Sequence, residues 1–83
     1  MYTETDINRL SWHCRRGMLE LDVLLIPFLK ERFRDLDLQD QTRFEKLIAC
    51  EDQDIFSWFM RHKVPEDADL KRIVDLILDG VPD

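Results

Sequence analysis

Between Leu21 and Phe33 the apolar residues Leu21, Leu24, Leu25, Phe28, Leu29 and Phe33 recur at intervals of three and four. At about 100° per residue that rhythm puts all six on one face of a helix, the most continuous apolar face in the chain. No stretch shows the sustained alternation of a half-buried strand, so the fold must come from packing helical faces together. The segment carrying this face is expected from about Met18 to Arg34. Pro27 lies inside it, removes one N–H and crowds the carbonyl of Val23, which predicts a kink rather than a break.

Four further helices follow from periodicity and caps. The first is expected from about Asp6 to Arg16 with Thr5 as N-cap. Ile7, Leu10 and Cys14 form its inward stripe, while Trp12 projects from nearly the opposite side, near Arg9 and Arg16. The third starts after Asp37, with Asp40 at its third position, and carries Phe44, Leu47 and Ile48. Asp52 is the expected cap of a short fourth helix over residues 53–62. Its Ile55, Phe56, Trp58, Phe59 and Met60 cover more of the circumference than one core needs, so Ile55 and Phe59 are assigned to the core and Trp58 stays between core and surface. The fifth begins near Glu66 after Pro65, runs through Leu70, Ile73, Val74, Ile77 and Leu78, and is expected to stop at Gly80. The connections are short, and the expectation is an all-α, single-domain bundle of five short helices over residues 1–83.

Charge then narrows the function. The chain has 18 acidic and 12 basic residues among 83, a formal net charge of −6, which repels a phosphate backbone and disfavours nucleic acid as a partner. Cys14 and Cys50 fit no ligand spacing and read as small buried hydrophobes. His13 and His62 have no cysteine or acid at a metal-ligand spacing, and no nucleophile elbow, glycine-rich phosphate loop or nucleotide-binding unit is present. No metal and no enzymatic activity are expected. With no targeting segment and no long apolar run, the chain is expected to work in the cytoplasm as a monomer that does not insert into a membrane.

One short stretch resists a purely structural account. "CRRGMLE", Cys14 to Glu20, holds one of only two glycines. Gly17 suits the position just past a helix end, where φ turns positive. Arg15 and Arg16 would then sit in the last turn of one helix and Glu20 in the first turn of the next, each facing the dipole end that favours its charge. That reading treats Arg16 and Glu20 as exposed charges of little weight in stability. Yet Trp12, Arg15, Arg16, Met18 and Glu20 crowd the same turn, and an aromatic beside arginine and methionine off the apolar stripe has the composition of a protein-binding surface. A glycine there also leaves room for a partner to approach the backbone. Both readings stand on the residues alone.

"RGMLE" (Arg16, Gly17, Glu20), the following "LDVLLIPFL" and the later "CEDQDIFSWFM" resemble, in order and separation, the pattern of the FAD assembly factors of succinate dehydrogenase. The resemblance runs from about Ile7 to Leu78, with a departure at Gln53, where relatives often carry proline. It implies a small five-helix protein that binds the flavoprotein subunit of succinate dehydrogenase, and in many members that of fumarate reductase, and promotes covalent attachment of FAD to it. It also implies that Arg16, Gly17 and Glu20 bind the partner. Arg15, Met18 and Trp12 join this candidate surface on composition. No cofactor of its own is expected; FAD would be carried by the partner. Two roles for Arg16 stay open, contact with the partner or orientation of Glu20. The alternative reading is an antitoxin-type protein that neutralises a small membrane-associated toxin.

Overall fold

The computed structural model describes residues 2–79 and, among them, five α-helices and no strand. They are α1 (Glu4–Cys14), α2 (Leu19–Glu31), α3 (Leu38–Ile48), α4 (Asp52–Phe59) and α5 (Ala68–Asp79). The all-α fold class is as expected. Helix α2 packs against α1 and α5, α5 against α3, and α3 back against α1, closing a ring of four; α4 lies across α2 and α5. Leu21, Leu25, Phe28 and Leu29 point from α2 into the centre and are buried there. Phe44 of α3 stacks on Phe28 at 5.4 Å and meets Phe33 edge-on at 5.5 Å. Burying this apolar surface, aliphatic and aromatic together, in one small core is the main source of stability available to so short a chain.

Helix boundaries moved from their expected places for identifiable reasons. Helix α1 starts earlier, because Thr3 and not Thr5 is the N-cap. The Thr3 hydroxyl accepts from the Asp6 N–H, and the Asp6 carboxylate accepts from the Thr3 N–H at 2.9 Å, a reciprocal box with aspartate in the usual glutamate place. Helix α2 runs through Pro27 without breaking; Val23 and Pro27 are both exposed, so water can serve the carbonyl that the proline leaves without a donor. It ends at Glu31 rather than Arg34, and Phe33–Asp35 tighten into a single 3-10 turn. That turn buries Phe33 against Tyr2 and Phe44, and Gln41 Nε2 donates to the Phe33 carbonyl at 3.0 Å.

Asp37 caps α3 as expected, its carboxylate accepting from the Asp40 N–H at 2.8 Å. The expected cap Asp52 is instead the first residue of α4, with Glu51 at the N-cap position. Helix α4 ends at Phe59, short of His62. Arg61 takes φ +60, its N–H donates to the Trp58 carbonyl, and the His62 N–H donates to Ser57 at 2.9 Å. This is the double-bonded helix stop that usually requires glycine. Asp67 opens α5, accepting from the N–H groups of Asp69 and Leu70. The stop expected at Gly80 lies outside the described residues. Ile55 and Phe59 are buried and Trp58 is half-buried against the core. Cys14 is fully buried, which pushes its thiol up to about 12; Cys50, expected to be buried too, is partly exposed because it lies beyond the end of α3.

The link between α3 and α5 is ionic as well as apolar. Asp40, only 5% exposed, accepts from Arg43 on its own helix and from both Nε and Nη2 of Arg72 on α5, at 2.8 and 3.1 Å. These hydrogen bonds, Arg72's first, hold the Asp40 carboxyl below its ordinary range against the opposing effect of burial. A carboxyl lowered by folding contributes stability that is in place above its unfolded value, about 3.8, and is lost as pH falls through the folded one. Asp40→Asn should therefore cost about 1–3 kcal/mol near neutral pH. It should also flatten the fall in stability below about pH 3.8, measured by urea unfolding across an acid series. Arg61→Gly should act in the opposite direction and stabilise by about 0.5–1 kcal/mol, since glycine takes the left-handed conformation without Cβ strain.

Candidate functional site

The turn between α1 and α2 is set by three groups. Helix α1 stops at Cys14, so Arg15 and Arg16 lie beyond it and not in its last turn as expected. Arg15 caps the helix in an extended conformation, its N–H donating to the Trp12 carbonyl at 3.3 Å. Gly17 has φ +77, as expected of this glycine, but two residues beyond the cap, where the chain turns into α2. The Asp22 carboxylate reaches back from α2 and accepts from the Arg16 N–H at 3.1 Å. Thus the turn is closed by a side chain, and the glycine supplies its left-handed step.

Arg16 does not project into solvent. Its side chain is 13% exposed and crosses to the junction of α3 and α4. There Nη1 donates to the Cys50 carbonyl at 3.2 Å and pairs with the Asp52 carboxylate at 2.7 Å, while Nη2 donates to the Ile48 carbonyl. The buried Nε makes no hydrogen bond. The expectation of an exposed helix-end charge is corrected. This guanidinium satisfies the free carbonyls where α3 ends and the first carboxylate of α4, a position that a cation at a helix C-terminus favours.

The other candidate residues divide by direction. Trp12 is 72% exposed, and the Arg15 guanidinium lies 5.3 Å from its ring. Gly17 is exposed, and among the described residues, its two chain neighbours aside, nothing lies within 4 Å of a Cβ built on it. Glu20 faces solvent from the first turn of α2, and Met18 packs partly against the core. Trp12, Arg15, Gly17 and Glu20 are therefore all exposed at or beside the turn, whereas Arg16 and Met18 support it from within.

Sequence reasoning missed two kinds of residue. Leu19 and Val23, four apart on α2, are exposed neighbours on one side of that helix, close in sequence to the turn; their spacing outside the main stripe was the available signal. Asp22 was given no role and Asp52 only that of a helix cap, although Asp22 holds the Arg16 backbone and Asp52 its side chain. Among the described residues no three of His, Cys, Asp and Glu come together as a metal site, and no helix is long and apolar enough to cross a membrane. Nor do these residues fit a dinucleotide: each of the five helices carries one or more acids in its first turn, so each N-terminus available to a pyrophosphate already holds a carboxylate.

The chain as a whole is similar to several known proteins. Residues 8–81 match the family model Sdh5, described as the flavinator of succinate dehydrogenase. The FAD assembly factor SdhE of Pseudomonas aeruginosa is 62% identical over 81 residues, covering 98% of this chain and 96% of that protein. The protein of the same name from Colwellia psychrerythraea is 53% identical over 73 residues, 88% of this chain and 80% of its own. The solution structure of a UPF0350 protein superposes with a TM-score of 0.80 at 43% identity, covering 95% of this chain and 84% of the other.

Removing the Arg16 side chain would leave carbonyls and a carboxylate at the α3–α4 junction without their donor. Arg16→Ala should lower stability by about 2–3 kcal/mol. Glu20→Ala, which removes an exposed charge, should leave it nearly unchanged. Urea unfolding followed by circular dichroism compares the two, and equal stability would return Arg16 to the surface.

Proposed function

The chain belongs to the succinate dehydrogenase flavinator family, and from that membership we propose that it is a non-catalytic assembly factor. It binds the flavoprotein subunit of succinate dehydrogenase, and that of fumarate reductase where one is present, and promotes covalent attachment of FAD. The single observation that carries the reading onto particular residues is the α1–α2 turn. In it an exposed Gly17 with open space above is flanked by Trp12, Arg15 and Glu20.

The physics of attachment favours a conformational role. The bond forms between a histidine of the flavoprotein and the flavin that it carries, so the reacting groups belong to the partner. This chain contributes a rigid surface that binds the loaded subunit and favours the arrangement in which flavin and histidine are aligned. Its own residues bind and orient. The exposed tryptophan supplies contact area, Arg15 and Glu20 supply charge of both signs at the rim, and the bare glycine allows backbone-to-backbone approach. The net charge of −6 and the acids at the helix N-termini are unfavourable to free FAD, so the cofactor enters the complex on the flavoprotein.

Gly17→Arg should keep the helical content and abolish capture of the flavoprotein subunit in a pull-down. Gly17→Asn separates the two parts of the glycine's role, since asparagine tolerates positive φ but adds bulk. It should fold like the parent and still bind less. Flavin fluorescence of the subunit in denaturing gels should fall in cells whose only copy is either variant; unchanged fluorescence would overturn the reading. Calorimetric titration of the purified chain with FAD should show no binding. A one-to-one isotherm at low micromolar affinity would make it a flavin carrier instead, and recovery of a small membrane protein in the pull-down would favour the antitoxin alternative.

A further inference from the structure

We propose that Asp22 and Asp52 are positioning residues for the partner-facing turn, acting on it through Arg16 without touching the partner. The proposal rests on the functional reading above and adds how the surface is held in shape.

Three elements meet at Arg16. Asp22 of α2 accepts from its backbone N–H at 3.1 Å, which fixes the chain direction immediately before Gly17. Asp52 of α4 accepts from its guanidinium at 2.7 Å, and the carbonyls of Ile48 and Cys50 complete the grip. A glycine with open space around it has little of its own to select one backbone conformation. The left-handed step at Gly17 is therefore selected by its neighbours, and Arg16 is the neighbour with fixed anchors on both backbone and side chain. Charge-assisted hydrogen bonds of this kind are strong enough to hold a turn that apolar packing does not cover.

Orientation separates these acids from the binding surface. Asp22 is half-buried and turned back over the turn, while Glu20, two residues earlier, points outward. Asp52 is 37% exposed but spends a carboxylate oxygen on a guanidinium that is itself mostly buried. Both act at one remove. The arrangement also gives a physical reason for the acidic opening of α4 to accompany the arginine–glycine turn: one supplies the anchor that the other needs.

The test separates shape from contact. Amide hydrogen exchange by NMR reads the clasp at the Arg16 N–H with no partner present, and calorimetry with the FAD-loaded flavoprotein subunit reads binding. Asp22→Ala should speed exchange at Arg16 and weaken binding, each by about tenfold. Asp22→Asn, which keeps an oxygen acceptor, should preserve both. Glu20→Ala should weaken binding and leave exchange at Arg16 unchanged. Asp52→Ala should weaken binding in the parent by about tenfold and have no further effect in Arg16→Ala, because it acts only through that side chain. The proposal is overturned by unchanged exchange in Asp22→Ala, by lost binding with intact exchange in Asp22→Asn, or by additive effects of Arg16→Ala and Asp52→Ala. If the parent fails to bind the flavoprotein at all, the functional reading falls, while the exchange measurements still decide whether the clasp exists.

Discussion

The placement of the α1–α2 turn on the bundle depends on a guanidinium set where two helices meet. A helix that ends in a short loop leaves carbonyls without intrahelical donors, and a small protein has little spare backbone with which to satisfy them. Arg16 comes from a distant turn to donate to Ile48 and Cys50 and to pair with Asp52. One side chain thereby joins the α1–α2 connection to the α3–α4 connection. Without it, those loops would be held only by the helices they join. With it, a surface turn acquires a fixed position relative to the core.

A second ionic centre does comparable work at the other side of the bundle. Asp40 receives Arg43 and Arg72, Arg43 also reaches Asp69, and Lys46 reaches Asp67. These pairs run along the contact between α3 and α5. Most are exposed and individually weak. The exception is Asp40, whose burial makes its partners obligatory, because an unpaired carboxylate there would cost more than the pair contributes. In a chain of 83 residues, a core of this size leaves only a thin margin, so such junctions matter more than they would in a larger domain.

What the sequence made legible was whatever a single helix decides for itself. The apolar stripe of α2, the Asp37 cap of α3 and the buried pair Ile55 and Phe59 all depend on local periodicity or on a residue four or fewer positions away. The left-handed Gly17 was legible for the same reason. What stayed hidden depends on partners far along the chain. Arg16 looks like any helix-end arginine until its acceptors, more than thirty residues on, are known. Arg61 hides a helix stop because the glycine that normally marks one is absent. Phe33 was placed on the right face but in the wrong element, since the need to reach Phe44 overrides continuation of the helix. The candidate site was thus legible as a place, and its division into inner and outer residues was not.

On the proposed function, that division lets one short motif serve both stability and recognition. Its charged first member is turned inward, where its charge is satisfied by the chain itself and is not free to be read. Its glycine offers a positive φ and, among the described residues, open space where a Cβ would stand. Its glutamate stands outside. A turn made only of exposed groups would be mobile, and a partner would have to order it on binding, at an entropic cost that lowers affinity. Anchoring the first residue moves that ordering into folding, so that the surface meets its partner already shaped. The same logic, on the proposed function, removes the need for a deep cleft: when the chemistry belongs to the partner, an assembly factor can work by the rigidity and shape of one small surface, and a core of five short helices is enough to hold it.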